Sequence, residues 1–188
     1  MKIEKTKWGS NKRSKRIFMV QSLLSLVFIH VIALTCVSGD LPKDRRLFVI
    51  ERSKNANQIC YDLNFHSRGN LDADKPLKVY WYNKTDRPGA INNLSHIQEK
   101  YAYGYSSRLI GDGNYEITLV AFPKRKINLV KDSKGKYQAI ILIGGKKARL
   151  TKIFVQSKAK DYNKVMWVDL YGISLNDGKQ VSERIFSD

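Results

Sequence analysis

The chain has 188 residues and a net charge of +17, with 34 Lys and Arg residues against 17 Asp and Glu residues. Its ten Tyr, seven Phe and three Trp residues exclude an intrinsically disordered protein, because disordered chains contain few aromatic side chains. Residues 1–39 hold seven basic residues and one acidic residue, so the rest of the chain keeps a net charge of +11. That charge favours anionic partners, although a generally lysine-rich composition would produce it without any specific ligand.

The N-terminal segment has the pattern of a targeting sequence. Residues 1–16 are basic, and residues 17–37 follow without a single charge. A positive stretch before an apolar core predicts a signal peptide, here ending at residue 39. The uncharged stretch is also long enough to span a bilayer, so an uncleaved membrane-anchor helix is the alternative. Both interpretations place the rest of the chain outside the cytoplasm: in the periplasm, on the cell surface or anchored to a membrane.

After a polar linker over residues 40–46, short segments alternate between apolar and polar residues. Turn-forming residues such as Gly144 and Gly145 separate these segments. The pattern predicts one mainly β domain over residues 47–188, an antiparallel β-barrel or β-sandwich of about ten short strands. The predicted strands cover residues 47–52, 58–65, 77–82, 105–110, 115–122, 127–131, 136–143, 148–157, 165–175 and 180–186.

One short helix is predicted inside this β domain, near residues 95–103. Ser95 and Gln98 have the spacing of a capping box, in which each side chain accepts a hydrogen bond from the other residue's backbone N–H. Gly104 follows as the expected stop of the helix.

The polar connection after the first predicted strand is the first candidate ligand-binding site. It contains two cations, Arg52 and Lys54, and two amides, Asn55 and Asn57. Cationic side chains and the N–H groups of a turn can together hold an anion. Alternatively, the two Asn side chains only lock a tight turn by bonding its backbone.

Two aromatic residues are further candidates for ligand binding. Trp81 and Tyr103 lie in tyrosine-rich segments, and such rings can stack on sugars or other flat groups. Aromatic residues on strands are also ordinary core formers, so packing inside the β domain is the alternative interpretation.

Asp169 is the last candidate, because it is predicted to share a strand face with Trp167 and Tyr171. A carboxylate between aromatic rings must be solvated, paired with a cation or poised in a cavity. Lys152 and Arg149 are the expected partners for a structural ion pair.

No set of residues in the sequence predicts catalysis, a metal site or a cofactor. His66 and His96 are far apart in sequence, and no motif of a serine hydrolase or of a zinc site is present. Cys60 and Asp62 share a predicted strand face, whereas His66 begins the next loop, which does not make a nucleophile and base pair. A lone Cys within an apolar alternation is typical of a small buried residue.

A longer pattern of residues resembles a known family. It comprises Phe48-x-Ile50-x-Arg52-Ser53-Lys54-Asn55-x-Asn57, then Tyr61, Pro76, Tyr80-Trp81 and Tyr103-Gly104. These residues resemble an uncharacterised family of exported bacterial proteins with a domain of unknown function, over residues 47–186. The resemblance implies a bacterial envelope protein and brings no activity or catalytic residue with it.

The leading hypothesis is a non-catalytic binding domain whose ligand is an anionic or amphipathic component of the cell envelope, a glycan or a lipid. An envelope hydrolase acting on a glycan or a lipid, with Asp169 or Asp62 as the acid or base, is one alternative. A structural envelope protein is another. Nucleic acid fits the positive charge but conflicts with export. The sequence leaves the oligomeric state open.

Overall fold

A computed structural model describes residues 45–66 and 69–187 of the chain. The predicted signal peptide or anchor, residues 1–39, lies outside the described residues, as does most of the predicted linker. The described residues belong to one compact unit, Leu41–Asp188. The described residues therefore correspond to the predicted β domain.

Eleven strands and one short helical segment are present in the described residues. The prediction of a mainly β domain with one short helix is confirmed, and each of the ten predicted strands has a counterpart. The added strand, β4, has only three residues, all exposed, so no alternation indicated it. The strands are β1 (Arg46–Arg52), β2 (Asn55–Leu63), β3 (Leu77–Tyr82), β4 (Ile91–Asn93), β5 (Tyr105–Gly111), β6 (Asn114–Leu119), β7 (Lys126–Lys131), β8 (Tyr137–Ile143), β9 (Lys146–Lys158), β10 (Asp161–Ser174) and β11 (Gln180–Phe186).

All eleven strands form one strongly curled, open sheet that resembles half a barrel. Its order is β4-β3-β2-β1-β9-β8-β7-β6-β5, and β10 and β11 continue from the other edge of β9. The first part of β9 pairs with β8, whereas its second part pairs with β1. The sheet therefore divides at β9 into two halves, one formed by β1–β4 and the other by β5–β8. The pairing of β1 with β9 is parallel, which corrects the prediction of a purely antiparallel sheet.

The inner face of the curl carries the hydrophobic core. Each half contributes every second residue of its strands, because successive side chains point to opposite faces of a sheet. Phe48 of β1 stacks on Tyr61 of β2, with ring centroids 4.4 Å apart. The core extends across both halves and includes Ile50, Ile59, Leu77, Ile117, Leu119, Ile127, Leu129, Ile141, Ile143, Leu150, Ile153 and Leu170.

Tyrosine hydroxyls connect the two halves where no strands pair among the described residues. Asn64 donates its N–H to the Pro76 carbonyl, so the polar backbone groups of Leu77 point away from β2. The Tyr105 hydroxyl bonds both of these groups: it donates to the Leu77 carbonyl (2.7 Å) and accepts from the Leu77 N–H (2.9 Å). Nearby, the Tyr61 hydroxyl donates to the Tyr103 carbonyl at 2.7 Å.

The helical segment that precedes β5 comprises α1 (His96–Gln98) and a π-helical turn (Glu99–Tyr103). The predicted capping box is present, since Ser95 and Gln98 each accept a hydrogen bond from the other's backbone N–H. Gly104 ends the segment, but in an extended conformation rather than a left-handed one. A Cβ atom there would lie 2.0 Å from the Glu99 carbonyl oxygen, so only glycine permits this close approach.

Replacing Tyr105 with Phe tests the connection between the halves. The Tyr105→Phe variant leaves two backbone groups of Leu77 without their partner, and we expect the free energy of unfolding to fall by about 1–3 kcal/mol. Tyr101→Phe is the matched control, because the Tyr101 side chain is 65% exposed and its change should stay within about 0.5 kcal/mol. Chemical denaturation measures both variants, and equal stabilities would contradict the role of Tyr105.

The same tyrosine predicts how stability depends on alkaline pH. Burial raises the pKa of Tyr105 to about 12, although its bond to Leu77 acts in the opposite direction. The folded domain therefore keeps a proton that the unfolded chain loses near pH 10. We expect the free energy of unfolding to fall as the pH rises from about 10 to 12, and less steeply in Tyr105→Phe. Thermal unfolding at a series of pH values measures this slope.

Candidate functional site

Arg52 joins three elements at the end of β1. Its guanidinium donates one hydrogen bond to the Tyr103 hydroxyl (2.7 Å) and another to the Ser157 hydroxyl (3.4 Å). Ser157 is buried near the end of β9, and its N–H donates to the Ser53 hydroxyl at 3.0 Å. Arg52 thus links β1, β9 and the π-helical turn.

Trp81 completes this cluster from β3. Its ring meets the Tyr103 ring edge to face, with centroids 5.4 Å apart. Its indole N–H donates to the side-chain oxygen of Gln98 at 3.3 Å, and that oxygen also accepts the Ser95 N–H. Three predicted site residues, Arg52, Trp81 and Tyr103, are therefore brought together.

The rest of the predicted loop forms a two-residue turn, Ser53 and Lys54, between β1 and β2. The Asn55 side-chain oxygen accepts the Asn57 N–H at 3.2 Å. The Asn57 side chain is buried, and its oxygen accepts the N–H of Lys84 (2.9 Å) and the hydroxyl of Thr85 (3.2 Å). Both amides thus fix backbone, Asn55 within this loop and Asn57 in the loop that follows β3. The role of this loop in ligand binding stays a prediction.

Asp169 lies apart from this cluster, on the opposite face of the sheet. Asp169 is the register partner of Phe154, which is in turn the partner of Glu51, so these side chains share one face. Arg52 follows Glu51 on β1, and the Arg52 side chain therefore points to the other face. Arg184 of β11 binds the Asp169 carboxylate through two hydrogen bonds of 2.7 and 2.9 Å. The partner is thus Arg184, rather than Lys152 or Arg149 as expected from sequence.

The surroundings of Asp169 keep its carboxylate charged. The two bonds from Arg184 hold the pKa of Asp169 below its usual range, although burial opposes them. The Trp167 indole N–H also favours the charged form, but it has no hydrogen bond of normal geometry. The Arg184 guanidinium lies 4.7 Å from the centroid of the Trp167 ring. This arrangement is an ion pair supported by a cation–π contact, not a poised acid.

The second candidate acid, Asp62, is also bound by an arginine. The Arg46 guanidinium pairs with its carboxylate, and the Tyr80 hydroxyl donates to its other oxygen. Arg46 also donates to the Tyr80 hydroxyl at 2.8 Å, which closes a three-residue cluster. Cys60 lies beside it, and burial raises the pKa of its thiol to about 11, so the thiol stays protonated at neutral pH.

A cleft at the opposite end of β1 and β2 was not predicted. This basic cleft has a volume of about 620 Å³ and three cations, Arg45, Lys131 and Lys136. Arg45 lies 5.1 Å from the centre of the Phe65 ring, and the Lys131 ammonium lies 5.2 Å from that of Tyr137. No acidic residue is among the described residues that line it. The other lining residues are Leu63, Gly69, Asn70, Leu71 and Gly135.

The acids nearest the basic cleft in sequence are engaged by turn backbone. The Asp132 carboxylate accepts the N–H groups of Lys134 and Lys136, each at 2.9 Å. The Asp72 carboxylate accepts those of Asp74 (3.0 Å) and Lys75 (2.9 Å). These hydrogen bonds hold the pKa of both carboxyl groups below the usual range. Both carboxylates therefore stay ionised, but neither is among the described residues that line the cleft.

Sequence patterns gave no signal for this cleft, because its cations come from separate parts of the chain. Arg45 lies in the predicted linker, and Lys131 and Lys136 flank an ordinary hairpin turn. Only the curl of the sheet brings the start of β1 next to the turn between β7 and β8. A clue was available in hindsight: cations flanking a turn with an adjacent tyrosine, Tyr137.

Within residues 45–66 and 69–187, no group of three or more His, Cys, Asp or Glu side chains is arranged to hold a metal ion. The same part of the chain contains no helix that is long and apolar enough to cross a membrane.

The comparisons with known proteins are consistent with one family. No curated protein and no solved structure gives a significant match to the chain. Residues 48–184 match a family described as "Domain of unknown function (DUF4833)". This match covers well over half of the chain and nearly all of the described sheet, so the chain belongs to the DUF4833 family.

Proposed function

We propose that this domain is a non-catalytic binding domain that holds an anionic, amphipathic ligand in the basic cleft. The observation that carries the proposal is that three cations line one open cleft together with aromatic and aliphatic side chains. Arg45 and Lys131 lie against Phe65 and Tyr137. A ligand with a negative head and an apolar body would satisfy both parts of this lining.

The size of the cleft suits a small ligand. Its volume of about 620 Å³ lies within the range of about 300–1,000 Å³ that is common for small-molecule sites. The apolar lining of Leu63, Phe65 and Leu71 favours a lipid-like component over a glycan, because a sugar needs many hydrogen-bonding partners. A head group such as a phosphate would gain charge-assisted hydrogen bonds from the cations.

We propose the cell envelope as the place where this ligand is met. The support comes from residues 1–39, whose basic and apolar stretches have the pattern of an export signal or anchor. The net charge of +11 on the rest of the chain would attract anionic envelope components by long-range electrostatics.

The hydrolase alternative has less support. Its two candidate acids, Asp62 and Asp169, are each bound by an arginine, and neither lines the basic cleft. Arg184 lowers the pKa of Asp169, which makes Asp169 a poor general acid, because a general acid must carry a proton near neutral pH. A purely structural role remains an outcome of the binding experiment below.

Dodecyl phosphate, used below its critical micelle concentration, is a suitable probe. We expect residues 41–188 to bind it in a calorimetric titration, and raised salt to weaken the binding. The double variant Lys131→Glu, Lys136→Glu should lose affinity by about tenfold or more, since two attractive charges become repulsive. The control is Lys158→Glu, a reversal of an exposed lysine at the end of β9, which should bind like the wild type.

Failure of the wild type to bind any anionic amphiphile, together with normal folding, would support the structural role instead. Dodecyl maltoside carries the same tail without charge. Equal binding of both amphiphiles would show that the cations do not recognise the head group.

The predicted site at Arg52 is tested with the same probe. Asn57→Ala should lower the free energy of unfolding by about 1–3 kcal/mol, because it removes the buried acceptor of Lys84 and Thr85. Arg52→Ala should change the affinity for dodecyl phosphate by less than about twofold if the ligand sits in the basic cleft. A loss of about tenfold in Arg52→Ala, with the Lys131 and Lys136 variant unaffected, would move the site to the other end of β1.

A further inference from the structure

A second apolar surface lies on the outer face of the sheet, away from the core. This outer groove has a volume of about 700 Å³. Three of its large apolar side chains are well exposed: Leu142 at 50%, Leu175 at 50% and Ile110 at 45%. The other lining residues are Lys124, Arg125, Lys126, Asn128, Val130, Ile140, Ile141 and Lys147.

Strand register explains why these residues share one surface. Ile141 and Ile143 of β8 are buried in the core, so Leu142 between them must point outward. Leu142 is the register partner of Lys147, and the Leu175 N–H donates to the Lys147 carbonyl at 3.0 Å. Leu142, Lys147 and Leu175 therefore form a continuous outward row across β8, β9 and the turn that follows β10.

The rim of the outer groove is positively charged. Arg125 is neutralised locally, because it pairs with Glu183 and also donates to the Leu142 carbonyl at 3.1 Å. Among the described residues, the hydrogen-bond partner of the Lys126 ammonium is a neutral group, the Thr118 hydroxyl, at 2.8 Å. Within the described residues, Lys147 has no ion pair, and no acidic side chain lines the groove.

We propose that the outer groove docks on an anionic lipid surface. Leucine and isoleucine side chains would enter the boundary between head groups and acyl chains, while the lysines at the rim would contact the anionic head groups. Each lysine near such a surface adds to the attraction within a Debye length. The proposal concerns the surface of a bilayer and is independent of the ligand in the basic cleft.

Charge also argues against other occupants of the groove. A second copy in a two-fold arrangement would bring this rim close to an identical rim, and the lysines would repel each other. The basic segment of this chain, residues 1–16, has the same sign of charge as the rim. An anionic surface is the occupant that complements both the lysines and the apolar row.

The test uses the full chain in vesicles, with a fluorophore that reports local polarity at one cysteine. In a Cys36→Ser background, Leu142→Cys carries the label on the outer groove. Cys60 stays unlabelled because it is buried and its thiol is protonated. Lys158→Cys, labelled in the same background, is the control on an exposed position away from the groove.

In vesicles with phosphatidylglycerol, the label at position 142 should shift to the blue and be quenched by nitroxide-bearing lipids. It should do neither in pure phosphatidylcholine, and about 1 M salt should reverse the effect because it shortens the Debye length to about 3 Å. Adding Lys126→Glu and Lys147→Glu should abolish the shift. The label at position 158 should not respond in either lipid.

Equal emission from both labelled positions in phosphatidylglycerol vesicles would overturn the proposal. A blue shift at position 142 without vesicles that grows with protein concentration would identify a second copy as the occupant and would also overturn it. The Lys131→Glu, Lys136→Glu variant should keep the lipid response. Loss of dodecyl phosphate binding and loss of lipid docking are therefore separable results.

Discussion

The backbone N–H and carbonyl of Leu77 point to the edge of β3 that faces away from β2, where no described strand pairs with Leu77. Both groups are instead bonded to one hydroxyl, that of Tyr105. An open sheet leaves such groups without partners, and burial without partners costs about 1–3 kcal/mol for each group. The hydroxyl of Tyr105 takes the place of the missing strand. Together with the bond from Tyr61 to the Tyr103 carbonyl, it holds the two halves of the curl against one core.

This connection determines where binding sites can form. The inner face is filled by core side chains from both halves. The basic cleft lies where the halves diverge, and the outer groove lies on the outer face. The π-helical turn is positioned by the same tyrosines, and it brings Tyr103 within 2.7 Å of Arg52. Arg52 thereby becomes part of the framework at the opposite end.

Local features could be predicted from the sequence, whereas long-range ones could not. The bounds of β3 and β11 match the predicted segments, because each follows a clear turn signal and has a regularly alternating sequence. The capping box at Ser95 was also found from spacing alone. The parallel pairing of β1 with β9 joins residues about a hundred positions apart, and no local pattern encodes it. The basic cleft depends on that pairing and was missed for the same reason.

The distribution of charge separates two explanations for the basic character of this domain. A general richness in lysine would scatter acidic residues among the basic ones on every surface. Instead, Asp132 and Asp177 bind turn backbone, and Asp62 and Asp169 bind arginines. The described linings of the basic cleft and of the outer groove contain none of these acids. Lysines therefore lie beside apolar side chains at both places, and this combination supports the proposals of an anionic amphiphile and an anionic membrane as partners.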